Sequence, residues 1–218
     1  MYKETYTYYQ RLNIFSSNFE DIILKYEVKK LESVDLMFSS VLQGDHFYVL
    51  CFHLKTDKIE LIDNSTIKQD FKERYLGLPD TLRRVLVLYL QKAIKPTLAI
   101  KALETSVIER KEMEWRTLTN GIDCGVFTMR HMEAYKGKTP WFSGFVKEDE
   151  VNKRQNSQLH LLRHRYMSKI ILSEYNLDRQ RITKETIAFD KTPENERDIK
   201  DLDKKIPERL KEFIGKDK

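Results

Sequence analysis

The spacing of apolar residues changes along the chain, and in the first half of the sequence it predicts strands. Residues His46–Leu54, HFYVLCFHL, are rich in aromatic and branched side chains, and Asp35–Leu42 has the same character. The turn residues KTDK separate the His46 strand from a further apolar run, Ile59–Asp63. We therefore expect a strand at each segment, with the last two forming a β-hairpin.

Apolar residues recur at helical spacing elsewhere. Ser17 and Glu20 form a capping-box pattern, which predicts a helix of about 14 residues from that point. Further helices are predicted at residues 79–93, from Cys124 to near Gly137, and at residues 158–172. Met113–Thr117 predicts one more short strand. Strands and helices mixed in this way predict a globule with both α and β structure.

The end of the chain differs in character from the rest. Beyond Phe189, acidic and basic residues nearly alternate, and the few apolar residues fall at helical intervals. We therefore expect one folded domain over residues 1–189 and a charged tail over residues 190–218 that is helical only when docked.

Composition narrows the classes of protein to consider. The longest apolar run, Val85–Leu90, is far shorter than the roughly 20 residues of a membrane span, so we expect no membrane partner. Two cysteines are too few to staple a fold of 218 residues, which predicts free thiols and an intracellular protein, in the nucleus or cytoplasm. The net charge of +5 suits either an acidic partner or an ordinary solvated surface.

Basic clusters raise nucleic-acid binding as an alternative function. Arg163–Arg165 and the pair Arg179 and Arg181 are the clearest examples. A solvated helical face explains them more simply, so we expect no nucleic-acid partner. The sequence also lacks a phosphate-cradling glycine loop and a paired-cysteine zinc module.

Cys124 lies in NGIDCGVFTMRHM, where a polar loop changes into a helical pattern. Two interpretations are open, since free cysteine is often a buried small hydrophobe, whereas at a helix N-terminus the macrodipole favours the reactive thiolate. A nucleophilic cysteine also needs a histidine from elsewhere in the fold. By contrast, the mid-strand Cys51 is expected to be buried packing, and Asp123 is expected to cap the helix.

His46 is the best placed of the five histidines. His131 is about two turns along the Cys124 helix, roughly 10 Å from the cysteine and out of hydrogen-bond reach. His160 and His164 have the i, i+4 spacing of metal ligands but lack a third ligand, so we expect no metal and no cofactor. His53 lies on the opposite face of the strand from His46 and is expected to be packing or surface.

Asp63 is the expected partner of His46. The two residues share a face of the hairpin whether its turn is centred at residues 54/55 or at 56/57. Only the first turn places them directly opposite each other. With the second, we expect contact to require a bulge or a wider turn.

The order His46, Asp63 and then Cys124 within NGIDCGVF resembles the ubiquitin-like-protein-specific cysteine proteases, the SUMO (sentrin) protease family. GDHFYVLCFHLKTDKIELIDNS is similar to the strand pair that carries the histidine and the aspartate in that family. LHLLRHRYMSKIILSEYN is similar to the helical end of plant, transposon-associated members. The resemblance covers residues 35–176.

This resemblance implies a papain-like α+β fold of the SUMO-protease type, with a central mixed sheet flanked by helices and the nucleophile at the N-terminus of a central helix. It implies that Cys124 attacks the carbonyl of a C-terminal glycine, that His46 transfers the proton and that Asp63 orients the imidazole. The partner would be a SUMO-type modifier or its conjugates, in processing or deSUMOylation, with the protein acting as a monomer.

Two positions depart from the family pattern. The oxyanion-hole glutamine, six positions before the cysteine, is Leu118 here, and leucine cannot donate a hydrogen bond. The remaining candidate donors are the backbone N–H of Cys124 and the side chains of Asn120, Thr119 and Trp115. Phe47 stands where the family often has tryptophan and would line the slot for the Gly-Gly tail. The alternative function is therefore a weak or inactive protease-fold module that binds a ubiquitin-like modifier.

Overall fold

The computed structural model describes residues 7–25, 30–95, 97–148 and 153–193. The helices are α1 Tyr8–Lys25, α2 Phe71–Tyr75, α3 Leu78–Ala93, α4 Leu98–Ala102, α5 Cys124–Ala134, α6 Arg154–Leu172 and α7 Arg179–Lys191, with a 3-10 turn at Leu31–Ser33. The strands are β1 Leu36–Gln43, β2 His46–His53, β3 Ile59–Ile62 and β4 Ile108–Arg110. The chain divides into two compact units at Arg163/His164, so α6 runs across the boundary.

The four strands form one mixed sheet in the order β1-β2-β3-β4. β1 pairs with β2 and β2 with β3 in antiparallel fashion, whereas β3 and β4 are parallel. The predicted hairpin strands are therefore the two central strands, and α5 packs against β2. These elements confirm the predicted α+β class and its central mixed sheet.

The register of the hairpin differs from both predicted turns. Val49 pairs with Ile62 and Phe52 with Ile59, so the five-residue loop 54–58 is centred between the two expected positions. Continuing this register places Asp63 opposite Tyr48, one diagonal step from His46. The observed loop is wider than a strict two-residue turn at 56/57, which agrees with the expectation that contact in that case needs a wider turn, and long side chains on one face reach across such a diagonal.

One face of the sheet carries the main hydrophobic core. Its buried residues come from the central strands and from α2 and α3, and include Leu50, Phe52, Leu61, Tyr75, Leu86 and Leu90. The predicted helix at residues 79–93 is confirmed as α3, with Pro79 in its first turn. Helix α1 packs on this core through Phe15, Phe19 and Ile23.

The structure differs from the predicted elements in three places. Helix α1 begins at Tyr8, so Ser17 and Glu20 lie inside the helix and do not cap it. Met113–Thr117 is not a strand, because Thr117 makes only an isolated parallel bridge to Ser65, and the short β4 before it supplies the fourth strand. A further helix, α7, was not predicted and contains no buried residue. Most of the charged tail, from residue 194 onward, lies outside the described residues.

No helix of the described residues combines the length and the apolar content that crossing a membrane requires.

Candidate active site

The structure brings His46 and Asp63 into direct contact. His46 is the first residue of β2, and its imidazole Nε2 lies 2.7 Å from Oδ1 of Asp63, which directly follows β3. The imidazole side chain is 26% exposed, whereas the carboxylate is fully buried. A partly accessible imidazole is thus held by a carboxylate that solvent does not reach.

Asp63 is ionised in this setting. Burial alone would raise the pKa of its carboxyl group, but hydrogen bonds from His46 and from the backbone N–H of Ser65 outweigh burial and lower it. The N–H of Ser65 donates to Oδ1 at 2.9 Å, and the hydroxyl of Tyr75 donates to Oδ2 at 2.7 Å. A buried carboxylate with several donors stays charged and can stabilise an imidazolium.

Cys124 is the first residue of α5, as predicted from its loop-to-helix position. Its thiol donates a weak hydrogen bond to the carbonyl oxygen of Asp45 at 3.7 Å. That oxygen shares a peptide plane with the Cα of His46, so peptide geometry puts the sulfur at most about 6.5 Å from this Cα. The helix N-terminus therefore lies against the start of the strand that carries the histidine.

A compact polar loop delivers the chain to Cys124. The amide oxygen of Asn120 accepts hydrogen bonds from the backbone N–H groups of Ile122 and Asp123, at 3.2 and 3.0 Å. The buried carboxylate of Asp123 accepts from the Asn120 amide at 2.8 Å and from the guanidinium of Arg163. Asp123 occupies the predicted N-cap position of α5, but its side chain makes no capping hydrogen bond to the first helical turn.

The segment before this loop is held by a carboxylate. Glu148 accepts from the hydroxyl of Thr119 at 2.7 Å, from the hydroxyl of Thr117, and from the backbone N–H of Leu118 at 2.8 Å. Burial would raise the pKa of Glu148, but these donors lower it. The Leu118 side chain is 69% exposed, and its N–H is already used. An oxyanion donor does not arise at this position.

The other proposed oxyanion donors are engaged as well. The indole N–H of Trp115 donates to Nε2 of the buried His131 at 3.2 Å. The amide group of Asn120 is bonded to Asp123, as described above. These bonds argue against oxyanion roles for both side chains and leave the backbone N–H of Cys124 as the remaining donor.

Phe47 lies beside the helix N-terminus. A Cβ atom added at Gly125 would come 3.8 Å from the Phe47 ring, an ordinary van der Waals contact. Gly125 is therefore not required for close packing here. The half-buried ring lies beside Gly125, the residue that follows the cysteine.

A second buried polar cluster lies further along the same strands. His53, the Tyr135 hydroxyl, Lys58 and Lys111 all contact the fully buried carboxylate of Glu60. Burial would raise the pKa of Glu60, but these donors lower it to about 2. The thiol of Cys51 is buried nearby, and burial raises its pKa to about 12. The potential ligand atoms of Cys51, His53 and Glu60 all lie within 4.8 Å of one another.

This cluster fits a structural role better than a metal site. A cation would have to compete with ammonium groups that lie 2.6 and 3.0 Å from the carboxylate of Glu60. It would also have to enter a region where Cys51 and Glu60 are fully buried. We therefore assign the cluster to the support of the sheet.

Comparisons with known proteins give partial structural similarity only. No protein-family model matches the chain, and no curated protein matches it significantly. A structure of the SUMO protease Ulp1 with its catalytic cysteine oxidized to a sulfonic acid aligns with a TM-score of 0.33 and 17% identity, over 48% of this chain and 43% of that one. The C-terminal Ulp1 protease domain in complex with SMT3, the yeast ortholog of SUMO, aligns with a TM-score of 0.36 and 14% identity, over 50% and 45%.

A further Ulp1 structure, with the cysteine oxidized to a sulfinic acid, aligns with a TM-score of 0.38 and 15% identity, over 68% of this chain and 65% of that one. The chain thus spans less than two thirds of each of these matched chains. These scores are too low to assign a family, so a functional proposal has to rest on the residues themselves.

The sequence interpretation missed several residues that shape the site. The acidic and loop residues of the site are held by Arg74, Tyr75, Glu148 and Arg163. They lie 11 to 40 positions from their partners, so no local pattern identifies them. The one local signal is Asp70, a capping aspartate that marks the start of α2, the helix that carries Arg74 and Tyr75.

Proposed function

We propose that the protein is a thiol protease or isopeptidase that cleaves after the C-terminal glycine of a ubiquitin-like modifier, with Cys124, His46 and Asp63 as its catalytic residues. The observation that carries this proposal is the 2.7 Å contact between the His46 imidazole and the buried Asp63, with the Cys124 sulfur against the peptide just before His46. An exposed imidazole, a buried carboxylate and a thiol at a helix N-terminus are the groups that acyl transfer needs.

Each residue has a distinct part in this chemistry. Since Nε2 of His46 is bonded to Asp63, Nδ1 is the nitrogen that takes the thiol proton. The Cys124 thiolate then adds to the glycine carbonyl, and the C–N bond breaks as His46 returns the proton to the leaving amine. Water hydrolyses the resulting thioester with His46 as base, which releases the glycine carboxylate and regenerates the thiol.

The substrate class rests on the sequence resemblance over residues 35–176. Phe47 supports it, because its ring lies beside Gly125, the residue that follows the proposed nucleophile. An aromatic wall at this point suits a tail of glycine residues, which have no side chains to exclude. We further propose a SUMO-type modifier or its conjugates as partner, a papain-like arrangement, a monomer, and a nuclear or cytoplasmic location.

The oxyanion that forms when Cys124 adds to the carbonyl needs hydrogen-bond donors. The backbone N–H of Cys124 at the start of α5 is one donor. Leu118 supplies no second side-chain donor, and loss of one such donor costs roughly 10² to 10³ in rate in other hydrolases. We therefore expect slow cleavage of carbonyl substrates, whereas addition of the thiol to an electrophile that forms no oxyanion does not depend on this donor.

The test is covalent capture by a modifier with an electrophilic C-terminus. Full-length protein is incubated with SUMO or ubiquitin carrying a C-terminal vinyl sulfone, and the adduct is mapped by mass spectrometry. We expect an adduct with the SUMO probe that is lost in Cys124→Ala and in His46→Ala. Cys51→Ala is the matched control and should react like the wild type, because the Cys51 thiol is fully buried.

Two outcomes would contradict the proposal. The first is an adduct that survives in Cys124→Ala, which would place the reactive group elsewhere. The second is the absence of any adduct while the unreacted modifier still binds, with unchanged affinity in Cys124→Ala. That result would replace the protease with an inactive module that binds a ubiquitin-like protein.

A further inference from the structure

Helix α2 presents two adjacent side chains to the carboxylate of Asp63. Arg74 donates to Oδ2 of Asp63 through Nε at 3.1 Å and through Nη2 at 3.0 Å. The hydroxyl of Tyr75 donates to the same oxygen at 2.7 Å. The other carboxylate oxygen, Oδ1, receives His46, so the helix and the imidazole occupy opposite oxygens of one group.

The position of these two side chains follows from local structure. Asp70 caps α2 by accepting from the backbone N–H of Lys72 at 2.9 Å, and the helix ends after Tyr75 with Leu76 in the left-handed conformation. At the end of β1, the Gln43 amide donates to the backbone carbonyl of Arg74 at 3.0 Å. The short helix is thus tied at both ends, with Arg74 and Tyr75 directed at Asp63.

These donors fill the carboxylate. With Ser65, Asp63 accepts five hydrogen bonds at distances of 2.7 to 3.1 Å. A carboxylate offers about four lone-pair sites, so Asp63 cannot turn away from His46 without losing other bonds. The guanidinium, whose Nε and Nη2 both donate to Oδ2, also takes up negative charge that would otherwise act on the imidazole.

An ion pair with a purely structural role would not need to lie beside the imidazole of His46. Arg74 and Tyr75 line a small cavity of about 100 Å³ together with His46, Tyr48, Gln43 and Gln69. The side chains that hold Asp63 therefore border the same space as the imidazole. A change in the charge of Arg74 or in the hydrogen bond of Tyr75 therefore acts on His46 over a short distance with little intervening solvent.

We propose that Arg74 and Tyr75 are positioning residues for the His46–Asp63 pair, holding the carboxylate with Oδ1 toward the imidazole and limiting the charge it offers to the imidazolium. This inference rests on the proposed protease function and adds two residues to its machinery. Without them, Asp63 would hold the imidazolium more tightly, and His46 would return its proton to the leaving amine less readily.

Other groups near Asp63 also have to be considered. The guanidinium of Arg110, on β4, lies 3.7 Å from Oδ2 but donates its hydrogen bonds to the carbonyls of Ser65 and Ile67. Tyr48 on β2 is close enough for Asp63 to contribute to its raised pKa, after burial. The Tyr48 hydroxyl donates to Gln43, so it does not replace Tyr75 at the carboxylate.

The experiment measures the protonation of His46 directly. The imidazole is titrated by NMR in a Cys124→Ala background, so that the thiol does not interfere. We expect Arg74→Met to move the titration midpoint up by about one pH unit, since it removes a nearby positive charge. Tyr75→Phe should move it in the same direction by a few tenths of a pH unit. Lys72→Met, on the same helix but exposed, is the matched control and should leave the midpoint unchanged.

Two further variants keep the test decisive. Arg74→Lys retains the charge without the paired Nε and Nη2 donors, and should keep the midpoint near the wild-type value if charge sharing is the mechanism. If Arg74→Met does not fold, Tyr75→Phe still tests the role, because it keeps the ring that packs against Tyr48 at 5.0 Å. Equal midpoints in wild type, Arg74→Met and Tyr75→Phe would overturn the inference.

The proposed function is checked in parallel by alkylation of Cys124 with iodoacetamide at pH 6. Rapid alkylation that is lost in His46→Ala supports an activated thiol. If His46→Ala makes no difference, the protease proposal fails, and the positioning role fails with it whatever the midpoints show. If alkylation depends on His46 but the midpoints do not move, only the inference about Arg74 and Tyr75 is removed.

Discussion

We expect Glu60 to contribute strongly to the free energy of unfolding, because its fully buried carboxylate is paired with two ammonium groups. Its pKa of about 2 in the folded protein lies below the ordinary value of 4.5. At roughly 1.4 kcal/mol per pKa unit, this difference corresponds to about 3 kcal/mol of folding stability at neutral pH. Because the folded pKa is the lower one, the contribution is present above pH 4.5 and is lost as the pH falls toward 2.

We expect Glu60→Gln to lower the free energy of unfolding by about 3 kcal/mol at pH 7, close to the 3 to 5 kcal/mol typical of breaking a buried ion pair. The difference from wild type should shrink to about 1 kcal/mol at pH 3, because the unfolded chain then carries this carboxyl mostly protonated. Urea unfolding at pH 7, 5, 4 and 3 measures this difference. Glu109→Gln, an exposed change on β4, should stay within about 0.5 kcal/mol. A difference that is the same at pH 7 and pH 3 would refute the reasoning.

Three other predictions concern the loop and helix at Cys124. Leu118→Gln should raise the rate at which a SUMO C-terminal amide substrate is cleaved by about tenfold or more if a missing oxyanion donor limits the chemistry, and an unchanged rate would show that it does not. Glu148→Gln should accelerate hydrogen exchange at the N–H groups of Leu118 and Thr119 by about tenfold, whereas Glu114→Gln, which is exposed, should not. Burial lowers the pKa of His131 from 6.5 to about 3, so its stabilising effect is complete above pH 6.5 and falls as the pH drops toward 3. His131→Gln should therefore flatten the acid dependence of unfolding measured by tryptophan fluorescence, and equal slopes would contradict this.

The hairpin could be predicted from sequence because its signals are local. The branched and aromatic run of β2, the turn residues and the apolar run of β3 each identify their own segment. The alternation of side chains then puts His46 and Asp63 on one face without knowledge of the tertiary structure. The exact register could not be obtained in the same way, since a five-residue loop fits several pairings and packing on the core selects among them.

Other parts depend on contacts between distant residues. Ser17 and Glu20 match a capping box, yet α1 runs through them, because Phe15 and Phe19 pack on the core and favour a longer helix. Asp123 has a good capping residue type, but Arg163, 40 positions away, takes its carboxylate instead. Residue types alone do not reveal which of two available partners a polar side chain will choose.

The two halves of the candidate site are supported very differently, and this has consequences for catalysis. The His46–Asp63 half stands on central strands, with a fully buried carboxylate and five hydrogen bonds. The Cys124 half depends on a polar loop whose ion pair, Asp123 with Arg163, includes a guanidinium that is 50% exposed. Solvent screening makes such a pair worth about 1 kcal/mol or less, so this half is the easier one to displace. A substrate tail that lies across the loop would therefore adjust the cysteine to the histidine, since the imidazole and its carboxylate are already fixed.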